Sequence, residues 1–234
     1  MRKFIAICTI SLLVFACSSK KEGNMIVQGQ IKGLKKGTLY LQKMKDTLLV
    51  SVDSISLLGN DHFSLADNIN EPQMYYLTFG NNSSTSKRIM FFGEKGTIKI
   101  NDKIEEFGFK PKIEGSKNQK IIEQFKEIDR KFRDQRLDFI KKDFEARKTN
   151  NQELVNELEQ GYKRMMRRRF LFTTNYAINN AHTEASPYIA LTELFDANIK
   201  LLDTINNSLS DKIKKSMYGK RLQKFITDVK SKEK

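Results

Sequence analysis

Cysteine and histidine are scarce in this chain, and tryptophan is absent. The 234 residues include two cysteines, Cys8 and Cys17, and two histidines, His62 and His182. Neither histidine has another ligand at a recognised zinc spacing, so we expect no metal and no cofactor. Both histidines are predicted to be surface or capping residues. Because no Cys-x-x-Cys pair is present, the chain also lacks the dithiol that disulfide exchange requires.

Motifs of common enzyme classes are missing as well. There is no Gly-x-Ser-x-Gly turn to present a serine nucleophile. There is also no Gly-x-x-x-x-Gly-Lys-Ser/Thr loop to bind phosphates. Acidic pairs such as Glu105-Glu106 do not differ from ordinary solvated charges. We therefore predict no catalytic residue and do not expect an enzyme.

The one long apolar run lies at the start of the chain. It extends from Phe4 to Phe15 behind Arg2 and Lys3, and it is shorter than the roughly 20 residues that span a membrane. The four residues 14–17, Val-Phe-Ala-Cys, resemble the lipobox of bacterial lipoproteins. The resemblance implies a signal peptide at 1–16, acylation of Cys17, and a polar tether at 17–24. An ordinary secretory signal is the alternative.

The remaining composition describes an exported globular chain. With Cys8 removed and Cys17 acylated, no thiol is left, so packing alone must stabilise the fold. The formal net charge is +14, from 42 basic and 28 acidic residues. Export excludes nucleic acid as the expected partner and favours anionic lipid headgroups. A solvated basic surface is the alternative.

Residues 25–115 have the pattern of short strands separated by turns rich in glycine, asparagine and aspartate. Their spacing predicts an antiparallel β-sandwich, with a barrel as the alternative. The predicted strands are Ile26–Ile31, Thr38–Leu41, Leu48–Val52, Phe63–Leu65, Met74–Phe79, Arg88–Phe92, Thr97–Ile100 and Lys112–Glu114. A polar loop is predicted at 81–86.

From about Ser116 the hydrophobic period becomes helical. A first face comprises Ile121, Phe125, Ile128, Phe132 and Phe139. A second helix is predicted beyond a turn at 149–151, which gives a long antiparallel hairpin. Ser186-Pro187 is predicted to start a third helix with Ser186 as N-cap, and two more are predicted at Ser210-Asp211 and Tyr218–Val229. The fold class is therefore α+β: an N-terminal β-sandwich at 25–115 and an α-helical domain at 116–234.

Several short sequence segments, in a fixed order, resemble segments of one group of bacterial proteins. They are Ile31–Leu34, Gly37–Leu41, Asp53-Ser54, Asp61–Phe63, Glu71–Leu77, Phe92–Ile98 and Ile113–Ser116. Together they are similar to the N-terminal β-domain of unknown function in envelope lipoproteins of Bacteroidetes-type bacteria. In many of these proteins a thioredoxin-like module follows. The resemblance implies that this chain holds the accessory part without the redox part, and a truncated thiol–disulfide oxidoreductase is the alternative function.

Two kinds of candidate contact remain. Lys163, Arg164, Arg167 and Arg168 form a cationic cluster that fits lipid phosphates or an acidic envelope partner. Neutralisation by nearby acidic residues is the alternative. Three Asp-Ser/Thr-aliphatic sequences resemble O-glycosylation sites, with acceptors Thr47, Ser54 and Thr204. For Ser54 the alternative is a structural role in the family, and for Thr204 it is a helix cap.

These observations predict a non-catalytic, lipid-anchored cell-envelope protein that serves as a binding or scaffold module. Ser18 takes the place of the aspartate that commonly retains lipoproteins at the inner membrane, which favours the outer membrane. Lys20-Lys21 departs from the acidic residues that accompany surface export, which favours an orientation facing the periplasm.

Overall fold

The structure is a computed structural model, and it describes residues 22–80 and 88–232. Within those ranges a strand-rich part precedes a helical part. The strands are β1 (Met25–Lys32), β2 (Lys36–Lys45), β3 (Leu48–Leu58), β4 (His62–Asp67), β5 (Gln73–Phe79), β6 (Arg88–Gly93), β7 (Gly96–Lys103) and β8 (Lys112–Glu114). The helices are α1 (Lys117–Lys148), α2 (Gln152–Asn179), α3 (Ala185–Glu193), α4 (Ile199–Ser208), α5 (Asp211–Lys214) and α6 (Met217–Lys232).

The strands form two four-stranded sheets that share one core. Their orders are β4-β1-β7-β8 and β3-β2-β5-β6. Both sheets contribute buried apolar side chains to the same cluster, among them Val27 and Ile98 from the first and Leu41 and Leu77 from the second. The α+β class with an N-terminal sandwich and a helical continuation is therefore confirmed. One pairing departs from the antiparallel pattern, because β1 and β7 run parallel.

All eight predicted strands lie within observed strands. The prediction succeeded because apolar and polar residues alternate as buried and exposed positions do along a strand. In β7, for example, Ile98 and Ile100 are buried and Lys99 between them is exposed. A two-residue turn joins β2 to β3, and Asp46 takes a left-handed conformation there with φ 55°, as the first central residue of type I′ and II′ hairpin turns does. The predicted loop at 81–86 lies outside the described residues.

The predicted helical hairpin is confirmed by α1 and α2. Ser116 caps α1 by accepting a hydrogen bond from the Gln119 N–H, and Asn150 makes the turn with φ 55°. Gly161 permits close approach of the helices, since an added Cβ would lie 2.8 Å from the Phe139 ring. Ile128 departs from the predicted buried face and is largely exposed, because its position lies to one side of the row that contacts α2.

The C-terminal helices include two corrections. Ser186 is not the N-cap of α3, since Glu184 holds that position. Ser186 is buried in the first turn and donates to the Ala177 carbonyl at 2.7 Å, so it ties α3 to α2. The sequence did not predict α4, a ten-residue helix that Asn198 caps by accepting from the Lys200 N–H.

The sheet and the helices meet at strands β5 and β6. Met74 and Phe92 from these strands join Phe125, Ile189 and Tyr218 from three helices in one buried cluster. Because a common cluster spans both parts, they pack as neighbours rather than as separate bodies on a linker. The strands end at Glu114 and the helices begin at Lys117, and the division into two domains near residue 115 stays a prediction.

Candidate anion-binding surface

The cationic cluster predicted from the sequence lies on α2. Lys163, Arg164, Arg167 and Arg168 are all exposed. Within residues 22–80 and 88–232, no acidic side chain lies within 4.0 Å of their charged groups. We name these four residues the α2 cations. They occupy the side of the helix that faces away from the buried Val155 and Met165, so their charges are directed into solvent.

Arg169, the residue after Arg168 on α2, has the opposite environment. Arg169 donates to Asp129 Oδ1 at 2.7 Å and to Glu193 Oε2 at 2.6 Å, and it thereby links α2 to α1 and α3. The side chains of Asp129 and Arg169 are only 4% and 15% exposed. Burial lowers the pKa of the Arg169 guanidinium, but bonding to both carboxylates outweighs it and the pKa ends above its ordinary value. Arg169 is therefore a structural cation.

Acidic residues from the sandwich loops cap two helices. Glu94, after β6, accepts hydrogen bonds from the Lys117 N–H and from Asn118 Nδ2 at the start of α1. Glu71, before β5, accepts from the Met217 N–H at 2.9 Å at the start of α6. A carboxylate at a helix N-terminus satisfies free N–H groups and interacts favourably with the helix dipole. These contacts are long-range, so no local motif revealed them.

Side chains of the helices in turn accept hydrogen bonds from backbone N–H groups of the sheet. Gln119 Oε1 accepts from the Phe92 N–H at 2.9 Å, and the Tyr218 hydroxyl accepts from the Met74 N–H at 3.1 Å. The ring of Phe92 meets Tyr188 edge to face at 5.6 Å and Tyr218 at 5.8 Å. Burial raises the pKa of Tyr218 to about 12 and that of Tyr188 further still. This cluster covers β6, a strand at the edge of its sheet.

An open cleft of about 590 Å³ lies between the sandwich loops and the helices. Four lysines line it: Lys95, Lys117, Lys212 and Lys215. Glu71 and Glu94 also line it, but their carboxylates already bond to helix N-termini. Glu71 and Glu94 therefore serve the fold, and Glu184, the third acidic residue of the lining, holds the N-cap position of α3. We assign no reaction to the cleft.

The remaining predicted site residues are scattered. Thr47 lies in the turn between β2 and β3, Ser54 lies in β3, and Thr204 lies in the middle of α4; all three are exposed. Thr204 is not a helix cap, because its hydroxyl donates to the Lys200 carbonyl one turn earlier at 2.8 Å. Asp53, before Ser54, accepts from the Ala66 N–H of β4 at 2.9 Å, which is a structural role.

His62 and His182 are both exposed, in line with the prediction for them. His62 Nδ1 lies 3.0 Å from Asn60 Oδ1 in its own turn. In the part of the chain that the structure describes, no group of three or more potential ligands could hold a metal ion. Cys17 and the predicted signal peptide at 1–16 lie outside the described residues. Among the helices that are described, none is both long and apolar enough to cross a bilayer.

The strand-rich part of the chain matches one family model. Residues 25–122 match the family model of the domain of unknown function DUF4369. The match begins at the first residue of β1 and extends into α1 as far as Ile122. No curated protein and no solved structure matches the chain. The predicted resemblance to a β-domain of unknown function is thus confirmed, whereas the lipoprotein and thioredoxin associations stay predictions.

Proposed function

We propose that this protein is a non-catalytic, lipid-anchored component of the cell envelope that acts as a binding or scaffold module. Acylated Cys17 attaches it to the outer membrane, where it faces the periplasm, and the α2 cations contact an anionic partner. That partner is the membrane itself or an acidic envelope protein, and nucleic acid is not expected.

The observation that carries the proposal is the contrast between neighbouring cations on α2. Arg169 is bound by two carboxylates, and near the hairpin tip Arg147 is bound by Asp143 and Glu159. The fold thus holds Arg169 and Arg147 in place, whereas the four α2 cations, like most cations in the described ranges, have no acidic group within 4.0 Å. Four cations left without acidic partners on one exposed surface form a concentrated positive field, which attracts anions and speeds their association. Arginine adds a planar fork that matches phosphate and carboxylate groups.

A non-catalytic role is supported by how the polar groups are used. The buried or partly buried carboxylates Asp129, Glu71 and Glu94 each bond to a cation or to a helix N-terminus. These three carboxylates are committed to the stability of the fold. Modification of Thr47, Ser54 and Thr204 by O-glycosylation is compatible with their exposure and belongs to the same proposal.

Replacing the α2 cations with glutamine should weaken anion binding sharply. In the chain that begins at Ser18, which retains every described element, we expect K163Q/R164Q/R167Q/R168Q to elute from immobilised dextran sulfate at a much lower salt concentration than the unmodified chain. The reason is that each cation in contact with a polyanion releases counterions. The measurement is the elution position in a salt gradient, combined with a thermal unfolding curve to show that the fold is intact.

The control variant removes the same net charge elsewhere. K32Q/K35Q/K36Q/K45Q alters four exposed lysines of the sandwich, and its elution position should fall much less. Equal shifts for the two variants would mean that binding follows total charge alone, which would contradict the α2 surface. Dextran sulfate contains no lipid, so this test does not depend on which anionic partner is used in the cell.

A further inference from the structure

The outer face of α1 carries an exposed apolar row. Leu137, Ile140 and Phe144 are 66%, 53% and 70% exposed. They are separated by three and four residues, so they lie on the same side of the helix. Single exposed apolar residues are ordinary on protein surfaces, but a contiguous row is typical of a contact site.

Cations extend this row in both directions. Along the helix, each further member of the row lies three or four residues from the previous one. Its members are Lys126, Arg130, Arg133, Leu137, Ile140, Lys141, Phe144 and Lys148, and we name this set the α1 stripe. Of its cations, only Arg133 has an acidic group within 4.0 Å in the described ranges, and that group, on Asp129, is 3.8 Å away. At 1.5 Å per residue the stripe is about 33 Å long.

Most acidic residues of α1 are displaced from the stripe, although Glu123, three residues before Lys126, lies on the same side of the helix. Glu127, Asp134, Asp138 and Glu145 form a separate row, about 100° around the helix from the line through Leu137 and Phe144. Between Lys126 and Lys148 the acidic residues therefore flank the stripe: this row lies on one side of it, and Asp129 and Asp143 lie on the other, toward α2. An apolar centre flanked by lysine and arginine is the pattern of a helix that lies in the plane of a membrane interface.

The α1 stripe and part of the α2 surface border the same groove. Ile140 of the stripe and Lys163 of the α2 cations line a groove of about 270 Å³ between the two helices. Arg133 and Met166 line a second groove between them. The stripe therefore opens on the same side of the hairpin as Lys163, so one surface can engage Lys163 and the stripe together.

Charge complementarity selects an anionic occupant rather than a second copy of the chain. An antiparallel pair of stripes centred on Leu137 would place Lys126 opposite Lys148 and Arg133 opposite Lys141. A parallel pair would place each cation opposite itself. Like charges directly opposite one another are destabilising, so both symmetric arrangements are disfavoured. An anionic bilayer instead offers phosphates to the cations and a hydrocarbon boundary to the apolar centre.

We propose that the α1 stripe lies in the headgroup region of an anionic phospholipid membrane, with Leu137, Ile140 and Phe144 inserted at the boundary with the acyl chains. This inference rests on the proposed function, for which it names the lipid surface as the anionic partner. Each cation near such a surface contributes attraction that salt screens.

The position of the tether fits this arrangement. Asn24, the last tether residue, accepts a hydrogen bond from the Gly96 N–H at 2.9 Å. Two residues before Gly96, Glu94 binds the start of α1. The tether therefore joins the fold close to the base of the hairpin. Eight extended residues reach at most about 29 Å, so an anchor at Cys17 holds the stripe near the same bilayer and raises its effective concentration there.

A single introduced tryptophan tests insertion, because the chain contains none. In the chain that begins at Ser18, F144W should show a blue-shifted emission with phosphatidylglycerol vesicles and quenching by lipids brominated on the acyl chains. Phosphatidylcholine vesicles should leave the emission unchanged. The matched control is F109W on the sandwich, at a site 73% exposed, and its emission should not shift with either lipid.

Affinity gives a second readout. L137S/I140S/F144S should weaken binding to phosphatidylglycerol vesicles by about tenfold or more. L48S/L58S/F109S, which alters three exposed apolar residues of the sandwich, should change it little. Thermal unfolding curves of both triple variants establish that the fold is retained.

Three results would overturn the inference. Vesicle binding without a shift in the F144W emission would mean that the cations alone hold the protein on the lipid surface. A vesicle-independent shift that grows with protein concentration would show that a second copy covers the stripe. Binding to an acidic protein but not to vesicles would assign the stripe to a protein partner. In each case an α2-specific loss of dextran sulfate binding would still support the proposed function.

Discussion

Replacing Phe92 with alanine is expected to lower the free energy of unfolding by about 3–5 kcal/mol, the usual cost of removing a large buried aromatic side chain. Phe92 is fully buried in β6, and its ring contacts Tyr188 and Tyr218 from two helices. The deletion therefore leaves a cavity at the junction of sheet and helices rather than inside either one. Urea denaturation of the chain that begins at Ser18, followed by circular dichroism, measures the loss.

The control for this prediction is F109A. Phe109 is 73% exposed, so its truncation should change the free energy of unfolding by no more than about 0.5 kcal/mol. Because Phe92 joins the two parts, we also expect the helical signal and the near-ultraviolet tyrosine signal to change in one transition. Two separate transitions, with F92A affecting only one of them, would show that the parts unfold independently.

The second large effect is expected at Arg169. R169M removes the cation that bonds to both Asp129 and Glu193. Asp129 is then left charged, buried and without its closest partner, which typically costs about 3–5 kcal/mol. R168M, one residue earlier on the exposed face, should leave the free energy of unfolding nearly unchanged. Urea denaturation of the two variants side by side checks the difference.

A compensating variant separates charge burial from lost packing. R169M/D129L replaces the close pair with apolar side chains, and it should recover a substantial part of the stability that R169M loses. If R169M and R168M were equally stable, or if the double variant were less stable than R169M, the description of Arg169 as a structural cation would be wrong.

The sequence predicted the strands well because their signal is local. Alternating burial along β7 and a polar two-residue turn before β3 are visible in a few consecutive residues. The parallel pairing of β1 with β7 is not, since it joins Val27 to Ile98 across most of the sandwich. The same limit applies to Glu71 and Glu94, whose helix-capping roles depend on residues far away in the chain.

Within the helices, the position of a residue around the helix axis determined whether its environment could be predicted. Arg168 and Arg169 are adjacent in sequence, but the 100° step between them separates an exposed cation from a buried one. The sequence identified a cationic cluster without showing which of its members the fold would pair. Ser186-Pro187 was predicted to begin α3, because serine before proline usually marks a helix start. The observed helix begins earlier, since Ser186 satisfies its hydroxyl by donating to Ala177 of α2.

The α1 stripe shows a further limit of local patterns. Apolar residues at helical spacing are ordinarily assigned to a core, and one face of α1 does pack on α2 through Phe125 and Phe132. Leu137, Ile140 and Phe144 follow the same spacing on a different side of the helix. Only the position of α2 distinguishes the packed row from the exposed row.

Covalent attachment through Cys17 is the claim on which the proposed function depends most, and mass spectrometry of the N-terminal peptide tests it directly. In protein isolated from the membrane fraction of its native bacterium, we expect that peptide to begin at Cys17. It should carry the added mass of a diacylglycerol on the thiol and a fatty acid on the α-amine. An N-terminal peptide that begins at another residue, or one with an unmodified Cys17, would contradict the anchor and the function proposed from it.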